Sequence, residues 1–289
     1  PVHNALATHR RRLWSRQLGL APNERRTMSS DALLVDQDGG VLTLTNNDAP
    51  RNRMTLEYMD ALEVAVRDAA NDSSVRVLVL TAAGDEHFSV GMDLKQLMGG
   101  AADRGGFEGV LDQRLRVLAA LENMDKPSIA TLYGYCLGGG LELPLACHFR
   151  LAATEGARIG LPELDLGTVP AWGGTARLTR CVGRDQALDM ILRARKIDGE
   201  HALRIGLVHE LHPIADLKAA AHRLAQELAA MPPRAVAGVL RCVVGAGDAP
   251  LDEALAEERR AVLACSGTAD QVEGMRAFLE KRQPVFTGE

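Results

Sequence analysis

The sequence predicts an α/β body followed by an α-helical C-terminal part. Two observations carry this. Short β-prone runs alternate with amphipathic stretches up to about residue 182, and after that strand signals nearly stop while helical periodicity continues. The whole chain, at 289 residues, is long enough for one large domain or two small ones.

The elements follow in order. Ala32–Val35 and Val41–Thr45 flank Asp38-Gly39-Gly40 and read as a hairpin. Thr55–Ala70 is an amphipathic helix, with Leu56, Met59, Leu62, Val66 and Ala69 or Ala70 on one face. Val75–Thr81 is apolar but for Arg76, and its β-branched content predicts a strand covered on both faces. Leu111–Met124 is helical and Pro127 ends it. Ser128–Leu132 predicts a second buried strand, which runs through Gly134–Gly140 into an apolar helix ending at Cys147. Arg150–Ala153 and Arg158–Gly160 are short strand candidates. Helices are expected over 184–193, 200–205, 214–231, 251–265 and 269–282. No internal repeat and no low-complexity linker interrupts them.

Composition narrows the class. Apolar residues make up 46% and charged residues 25%, the mixture of a soluble globular chain. No apolar run approaches the roughly 20 residues of a membrane helix. The formal charge of -5 gives no reason to expect nucleic acid. Arginine outnumbers lysine 28 to 5, but the arginines are scattered rather than clustered. Five widely spaced cysteines (Cys136, Cys147, Cys181, Cys242, Cys265) never form C-x-x-C, so a reduced intracellular compartment without a zinc site is expected. The expected location is the cytoplasm of a bacterium, or a mitochondrion in a eukaryote.

Residues 1–27 stand apart. They hold six arginines and one acid, Glu24, a local charge of +5, so the remainder carries -5 - 5 = -10. Three readings stay open: an extension ahead of a domain opening near Met28, an Arg-rich transit peptide, and a basic amphipathic turn around Arg10, Arg11, Arg12, Leu13 and Trp14. The division expected is an extension (1–27), a core (28–215) and a helical region (216–289).

Three segments carry candidate chemistry. Gly138-Gly139-Gly140 lies between a strand and an apolar helix, where backbone can approach a ligand closely and free N–H groups favour negative charge. It fits neither G-x-G-x-x-G nor a phosphate loop, and a tight turn with close helix packing competes with the anion-site reading. Glu142 follows inside an apolar stretch, where burial raises a carboxyl pKa toward neutrality. A helix-dipole partner or a buried salt bridge is its alternative. Glu163, in Gly160-Leu161-Pro162-Glu163-Leu164, is a second carboxylate in apolar surroundings; an ordinary loop glutamate is the competing reading. Phe88–Leu94 supplies the third segment. Asp93 is expected to cap a short helix through Leu97, leaving the N–H groups around Met92 free to complete an anion hole with Gly139. His209 and His212, beside Pro213 and without a third ligand nearby, read as loop histidines rather than a metal site. Cys136 reads as a core cysteine.

In this order, Phe88–Leu94 (FSVGMDL), Gly134–Glu142 (GYCLGGGLE), Gly160–Glu163 (GLPE), Gly167–Leu178 (GTVPAWGGTARL) and Glu273–Gly288 (EGMRAFLEKRQPVFTG) resemble the enoyl-CoA hydratase/isomerase (crotonase) superfamily. The likeness covers roughly residues 31–288. It implies a crotonase-like spiral of ββα units with C-terminal helices that mediate trimerisation, as a trimer or a dimer of trimers. It also implies an acyl-CoA thioester substrate, with no metal and no cofactor beyond the coenzyme A of the substrate itself. By motif position, the N–H groups of Met92 and Gly139 would form an oxyanion hole. Glu142 would orient and activate water and Glu163 would transfer a proton at Cα. Ala171 would present an N–H near the water. Coenzyme A would lie along the backbone near Met54 and Gly91. Arg51, Lys95 and Lys281 are candidates for its phosphates and Phe278 for its adenine, with plain surface charge and packing as their alternatives.

The departures from the family pattern are Arg53 and Met92 in place of alanine, Pro144 and His148 after Glu142, and Trp172 where a small residue is common. Trp172 either reshapes the acyl pocket or packs away from it. The leading expectation is a hydratase. The alternatives are a double-bond isomerase, decarboxylase or thioester hydrolase on the same site, and a noncatalytic acyl-CoA- or RNA-binding protein.

Overall fold

The computed structural model describes residues 26–29 and 31–289. Most of the basic segment 1–27 therefore lies outside the described residues, but strand β1 (Arg26–Ser29) already begins within it. β1 pairs antiparallel with β2 (Leu33–Asp38), which turns at Gly39-Gly40 into β3 (Val41–Asn46), with Asp38 opposite Val41. The expected hairpin thus forms.

Helix α1 (Leu56–Asn71) carries the chain across to β4 (Val77–Ala82), which runs parallel to β3. Thr55 caps α1, its Oγ1 accepting the Tyr58 N–H at 3.0 Å. The helix buries Leu56, Met59, Leu62, Val66 and Ala69, the expected face. β4 starts two residues later than the apolar run suggests. The N–H groups of Arg76 and Val77 both donate to Gly40, closing the turn before the ladder begins.

Beyond β4 come α2 (Leu94–Gly100), a 3₁₀ turn (Ala102–Arg104), α3 (Gly106–Glu122) and β5 (Ser128–Leu132). α3 begins five residues before the predicted start, because a left-handed Gly105 (φ 79°) turns the chain into it where the sequence reads as a breaker. Then follow β6 (Tyr135–Leu137), α4 (Gly139–Leu145), β7 (Phe149–Ala153), β8 (Arg158–Gly160) and a 3₁₀ turn (Glu163–Leu166). After these come α5 (Gly174–Val182), α6 (Arg184–Leu192), α7 (Gly199–Arg204) and β9 (Glu210–His212).

The main sheet has the order β1-β2-β3-β4-β5-β7-β9, antiparallel in its first two pairings and parallel thereafter. β6 and β8 form a separate parallel pair, tied to residue 89 by a bridge between Ser89 and Cys136. Every residue of β4 and β5 is buried, as a parallel ladder covered on both faces requires. The hydroxyls of Thr81 and Thr131, which fall inside, bond each other at 2.8 Å.

The C-terminal helices are α8 (Ile214–Ala229), α9 (Pro233–Gly245), α10 (Leu251–Cys265) and α11 (Ala269–Glu280). α8 buries Leu217, Ala220, Ala221 and Ala225 and packs on β4 and β5. α9 is not predicted by periodicity. Its interior glycine, which weakens the helical signal, is there because Ala261 of α10 packs against it: a methyl built on Gly238 would lie 3.0 Å from the Ala261 methyl. The tail folds back. Asp270 accepts the N–H groups of Thr287 and Gly288 at 2.7 and 3.0 Å, and Arg282 forms a two-pronged pair with Glu273.

β9 is a further difference from expectation. His209 precedes the strand and His212 ends it, rather than both sitting in a free loop: His209 Nδ1 accepts from the Arg150 N–H, and His212 pairs with Glu210.

Candidate active site

The site is built from three loops at the C-terminal ends of the parallel strands. The first follows β4. Ser89 exchanges backbone hydrogen bonds with Tyr135 and Leu137, and its hydroxyl accepts the Gly91 N–H at 3.1 Å. Gly91 needs its positive φ (96°), and a methyl there would meet the Leu137 carbonyl at 2.8 Å. Met54 N–H donates to Gly91 O at 2.9 Å, and Asp93 N–H donates back to Met54 O. This bridge uses the groups on either side of Met92, so the Met92 N–H faces away from it and has no hydrogen-bond partner among the described residues.

Asp93 caps α2 as expected, accepting from Lys95 and Gln96 N–H groups. Its other oxygen pairs with Arg53, which also forks onto Asp48. Arg53 thereby braces the loop, holding the Asp48 carboxyl below its ordinary pKa chiefly through its hydrogen bonds.

The second loop is the glycine triplet. Gly138 adopts φ 56°, ψ -126° and accepts the N–H groups of Leu141 and Glu142, starting α4. As the first residue of that helix, Gly139 has an N–H with no partner among the described residues. A methyl on Gly91 would lie 3.9 Å from the Gly139 nitrogen, so the two unpartnered N–H groups border the same spot. The triplet is also closely packed against its neighbours, as the competing reading expects. A methyl on Gly139 would sit 2.3 Å from Trp172 Cζ3, and one on Gly140 would sit 2.7 Å from the Ser89 carbonyl.

The third loop runs from Pro162 to Gly174. It turns through the 3₁₀ segment and puts the Glu163 carboxyl against the second: a methyl on Gly138 would lie 2.9 Å from Glu163 Oε1. Glu163 Oε2 is buried without a partner. Farther along, the N–H groups of Trp172 and Gly174 both donate to Glu142 Oε1, at 2.8 and 2.9 Å. The Ala171 N–H beside them makes no hydrogen bond among the described residues. Arg177 ties the loop down, donating to Trp172 O and pairing with Glu122 of α3 at 2.6 Å.

Electrostatics separate these carboxyls from ordinary ones. Glu142 is 2% exposed. Burial pushes its pKa up to about 7 against the two N–H donors that hold it down, and the nearby Glu163 charge adds to the rise. Burial also raises Glu163. Cys136 is buried and its thiol is pushed up by desolvation, so no nucleophile forms there.

The structure therefore brings Gly91, Met92, Gly139, Glu142, Glu163, Ala171 and Trp172 together. Trp172 is buried and packs on Gly139, at the edge of the glycine loop. Met54 serves the site through its backbone, and both of its main-chain polar groups are spent on the bridge to Gly91 and Asp93. Arg51 and Lys95 are exposed on the rim; Arg51 O accepts the Val90 N–H. Phe278 is 83% exposed on α11, so it packs on little within the protomer, and Lys281 beyond it is also exposed. Three residues here escape the sequence reading. Gly174 and Arg177 carry no signal that distinguishes them from packing residues. Arg114 carries one: it interrupts an inward-facing apolar row of α3 formed by Val110, Val117, Leu118 and Leu121.

The structure thus sets a buried carboxyl, Glu142, and a half-buried one, Glu163, beside two unpartnered backbone donors on an α/β body with a helical tail. Comparison with known proteins gives the family. The family model for enoyl-CoA hydratase/isomerase matches residues 36–289. The short-chain-enoyl-CoA hydratase of Clostridium acetobutylicum is 33% identical over 257 residues, 89% of this chain and 97% of the relative. The 2,3-dehydroadipyl-CoA hydratase of Escherichia coli is 35% identical over 257 residues, 89% and 98% of the two chains. An enoyl-CoA hydratase structure from Geobacillus kaustophilus superposes with a TM-score of 0.87 at 30% identity, covering 92% of this chain and all of the other. The chain belongs to the enoyl-CoA hydratase/isomerase family, within the crotonase superfamily.

Proposed function

We propose that the protein is an enoyl-CoA hydratase, a lyase that adds water across the 2,3 double bond of an enoyl-CoA thioester. The observation that carries this reading is the pair of carboxyls, Glu142 buried and Glu163 half-buried. Glu142 is pinned by two N–H groups through one oxygen, with Glu163 across from it beside Gly138.

The division of labour follows from their surroundings. Two donors at Oε1 favour the ionised form of Glu142, which leaves Oε2 to take a proton from water attacking Cβ. No donor reaches Glu163 Oε2, so the neutral acid is the cheaper form there, suited to delivering a proton to Cα. The N–H groups of Met92 and Gly139 receive the thioester oxygen as negative charge develops on it, one such donor typically contributing about 2.7–4 kcal/mol. Water's oxygen ends on Cβ and a proton on Cα, so the reaction calls for no metal or redox cofactor; coenzyme A enters as part of the substrate. Arg51 and Lys95 on the rim are placed to meet its phosphates.

A second reading draws on Trp172. An indole packed on Gly139 narrows the room for the acyl group and fits an isomerase, decarboxylase or thioester hydrolase of the same family.

Incubation with crotonyl-CoA and longer enoyl-CoAs, followed by mass analysis, separates these. The expected result is a gain of one water. Loss of CO₂, release of free coenzyme A or an unchanged mass sinks the hydratase reading. The pH profile is a second measurement. Glu142 must be ionised, so kcat/KM is expected to fall up to tenfold per pH unit below about 7, rather than below the ordinary glutamate range. A flat profile between pH 5 and 7 contradicts the role given to Glu142.

We also propose a homo-oligomer, a trimer or a dimer of trimers. Val239, Val243, Val262, Met275, Phe278 and Leu279 leave a large apolar surface on α9–α11 exposed in the protomer. Phe278 and Lys281, both exposed, are then candidates to meet coenzyme A across such an interface. Sedimentation equilibrium is expected to give three or six times the protomer mass, and a monomer at micromolar concentration rejects the assembly.

A further inference from the structure

Arg114 is fully buried, on the inward face of α3, and the site described above does not use it. Its Nη1 donates to Gln113 Oε1. Its Nε and Nη2 are buried and have no partner among the described residues. Gln113 spends its own amide N–H groups on Asp60 and Glu63, at 2.8 and 2.9 Å. Those two carboxylates, with Arg104 opposing them, act on the guanidinium only from a distance, and burial pulls its pKa down to about 10. An arginine this buried ordinarily meets a carboxylate face to face, because an unpaired charge in the interior is strongly disfavoured.

What the guanidinium does meet is Trp172, with its carbon 5.7 Å from the indole centroid. A cation over an indole is favourable, but it satisfies none of the outstanding N–H donors. The indole also packs on Gly139, whose N–H is one of the pair proposed to receive the thioester oxygen. One aromatic ring thus separates Arg114 from the Gly139 backbone. A short acyl group whose carbonyl sat on Gly139 and which followed that ring would carry its far end toward Arg114. An unpaired, forked, cationic donor set at the acyl terminus matches one ligand chemistry best: a carboxylate, held by two parallel hydrogen bonds.

We propose that Arg114 is a specificity-determining residue which binds a terminal carboxylate on the acyl chain, so that the preferred substrates are CoA monothioesters of short dicarboxylic acids. This deepens the acyl-CoA reading given above and rests on it. A place in a reaction sequence follows. The enoyl substrate must come from a step that desaturates, or builds unsaturated, a dicarboxylic monothioester.

The test is one of affinity, so it does not depend on turnover. Adipyl-CoA and hexanoyl-CoA have the same acyl length and differ in the terminal group, and titration calorimetry measures both on the full-length protein. The wild type is expected to bind adipyl-CoA about 10- to 100-fold more tightly, the range for a charge-assisted hydrogen-bonded pair. In Arg114→Met, which keeps the volume and removes the charge, that ratio is expected to collapse toward one. Equal affinities in the wild type overturn the proposal, and so does a preference that survives Arg114→Met. Should Arg114→Met fail to fold, the wild-type ratio still decides the point. Arg114→Lys, which keeps the charge without the fork, is then expected to hold a reduced preference; an unreduced one overturns the two-pronged contact. Hydration of crotonyl-CoA without any carboxylate preference defeats this inference alone. A carboxylate preference without hydration of any enoyl-CoA defeats the reaction proposed above and leaves Arg114 in its role.

Discussion

Replacing Glu142 by glutamine is expected to lower turnover of enoyl-CoA by about 10²–10⁴-fold and, at the same time, to make the protein more stable at pH 8. Both effects come from one buried carboxyl. The glutamine carbonyl can still accept the Trp172 and Gly174 N–H groups, so the loop stays in place while the proton acceptor is gone. The sign of the stability change follows from linkage. Folding raises the Glu142 pKa from 4.5 to about 7, so the folded state holds a proton that the unfolded state has released between those values. Stability from this group is full below pH 4.5 and is lost as the pH rises through 7. Above 7 the ionised carboxylate opposes folding by at most roughly 3 kcal/mol, which the neutral amide removes. Melting temperatures of the two proteins should differ at pH 8 and converge toward pH 4. Glu163→Gln should lower turnover within the same range. Wild-type activity in either variant rules out the two-carboxylate mechanism.

Gly139→Ala should be almost as damaging through geometry alone. The added methyl would lie 2.3, 2.6 and 2.9 Å from three atoms of the Trp172 ring, so the indole must move. Over-packing of this kind typically costs about 1–3 kcal/mol of stability. The larger effect is on the site. Moving Trp172 shifts one of the two N–H groups that hold Glu142, and moving Gly139 displaces a donor of the proposed oxyanion hole. A loss of about 10²–10³-fold in kcat is expected, comparable to removing one such donor. The paired variant Gly139→Ala with Trp172→Ala should lose less stability than the two single variants summed, because the ring that clashes is absent. Unchanged kcat in the single variant means that the contact between Gly139 and Trp172 does not matter to the reaction.

The parts of the molecule visible in the sequence are those where local chemistry and global packing agree. Asp38-Gly39-Gly40 predicts its hairpin and Thr55 precedes its helix. Asp93 caps α2, and the largely apolar runs at β4 and β5 become buried parallel strands. Glu142 and Glu163 stand out because carboxylates are rare in apolar stretches.

What the sequence hides are contacts made through space. α9 carries an interior glycine whose reason is Ala261 on the next helix. β9 is three residues long and exists because β7 offers it an edge. Arg53, a departure from the family pattern, proves to be a brace between Asp48 and Asp93, partners 5 and 40 residues away. Arg114 reads as one more arginine among 28 until its unpaired nitrogens are seen beside Trp172.

The anchoring of Glu142 has a consequence for how such a protein can change. Its carboxylate is held by main-chain groups of residues 172 and 174, not by their side chains. The identity of residue 172 is thus free to vary without removing this anchor, and the proposed acid–base pair keeps its mounting. Residue 174 has no such freedom, since any side chain there would begin 2.7 Å from the Glu142 oxygen. Two positions apart in one loop, the chain separates a side chain the anchor does not need from one it cannot accommodate. A library randomised at residue 172 and spared at residue 174 is the natural starting point for giving this scaffold new substrates.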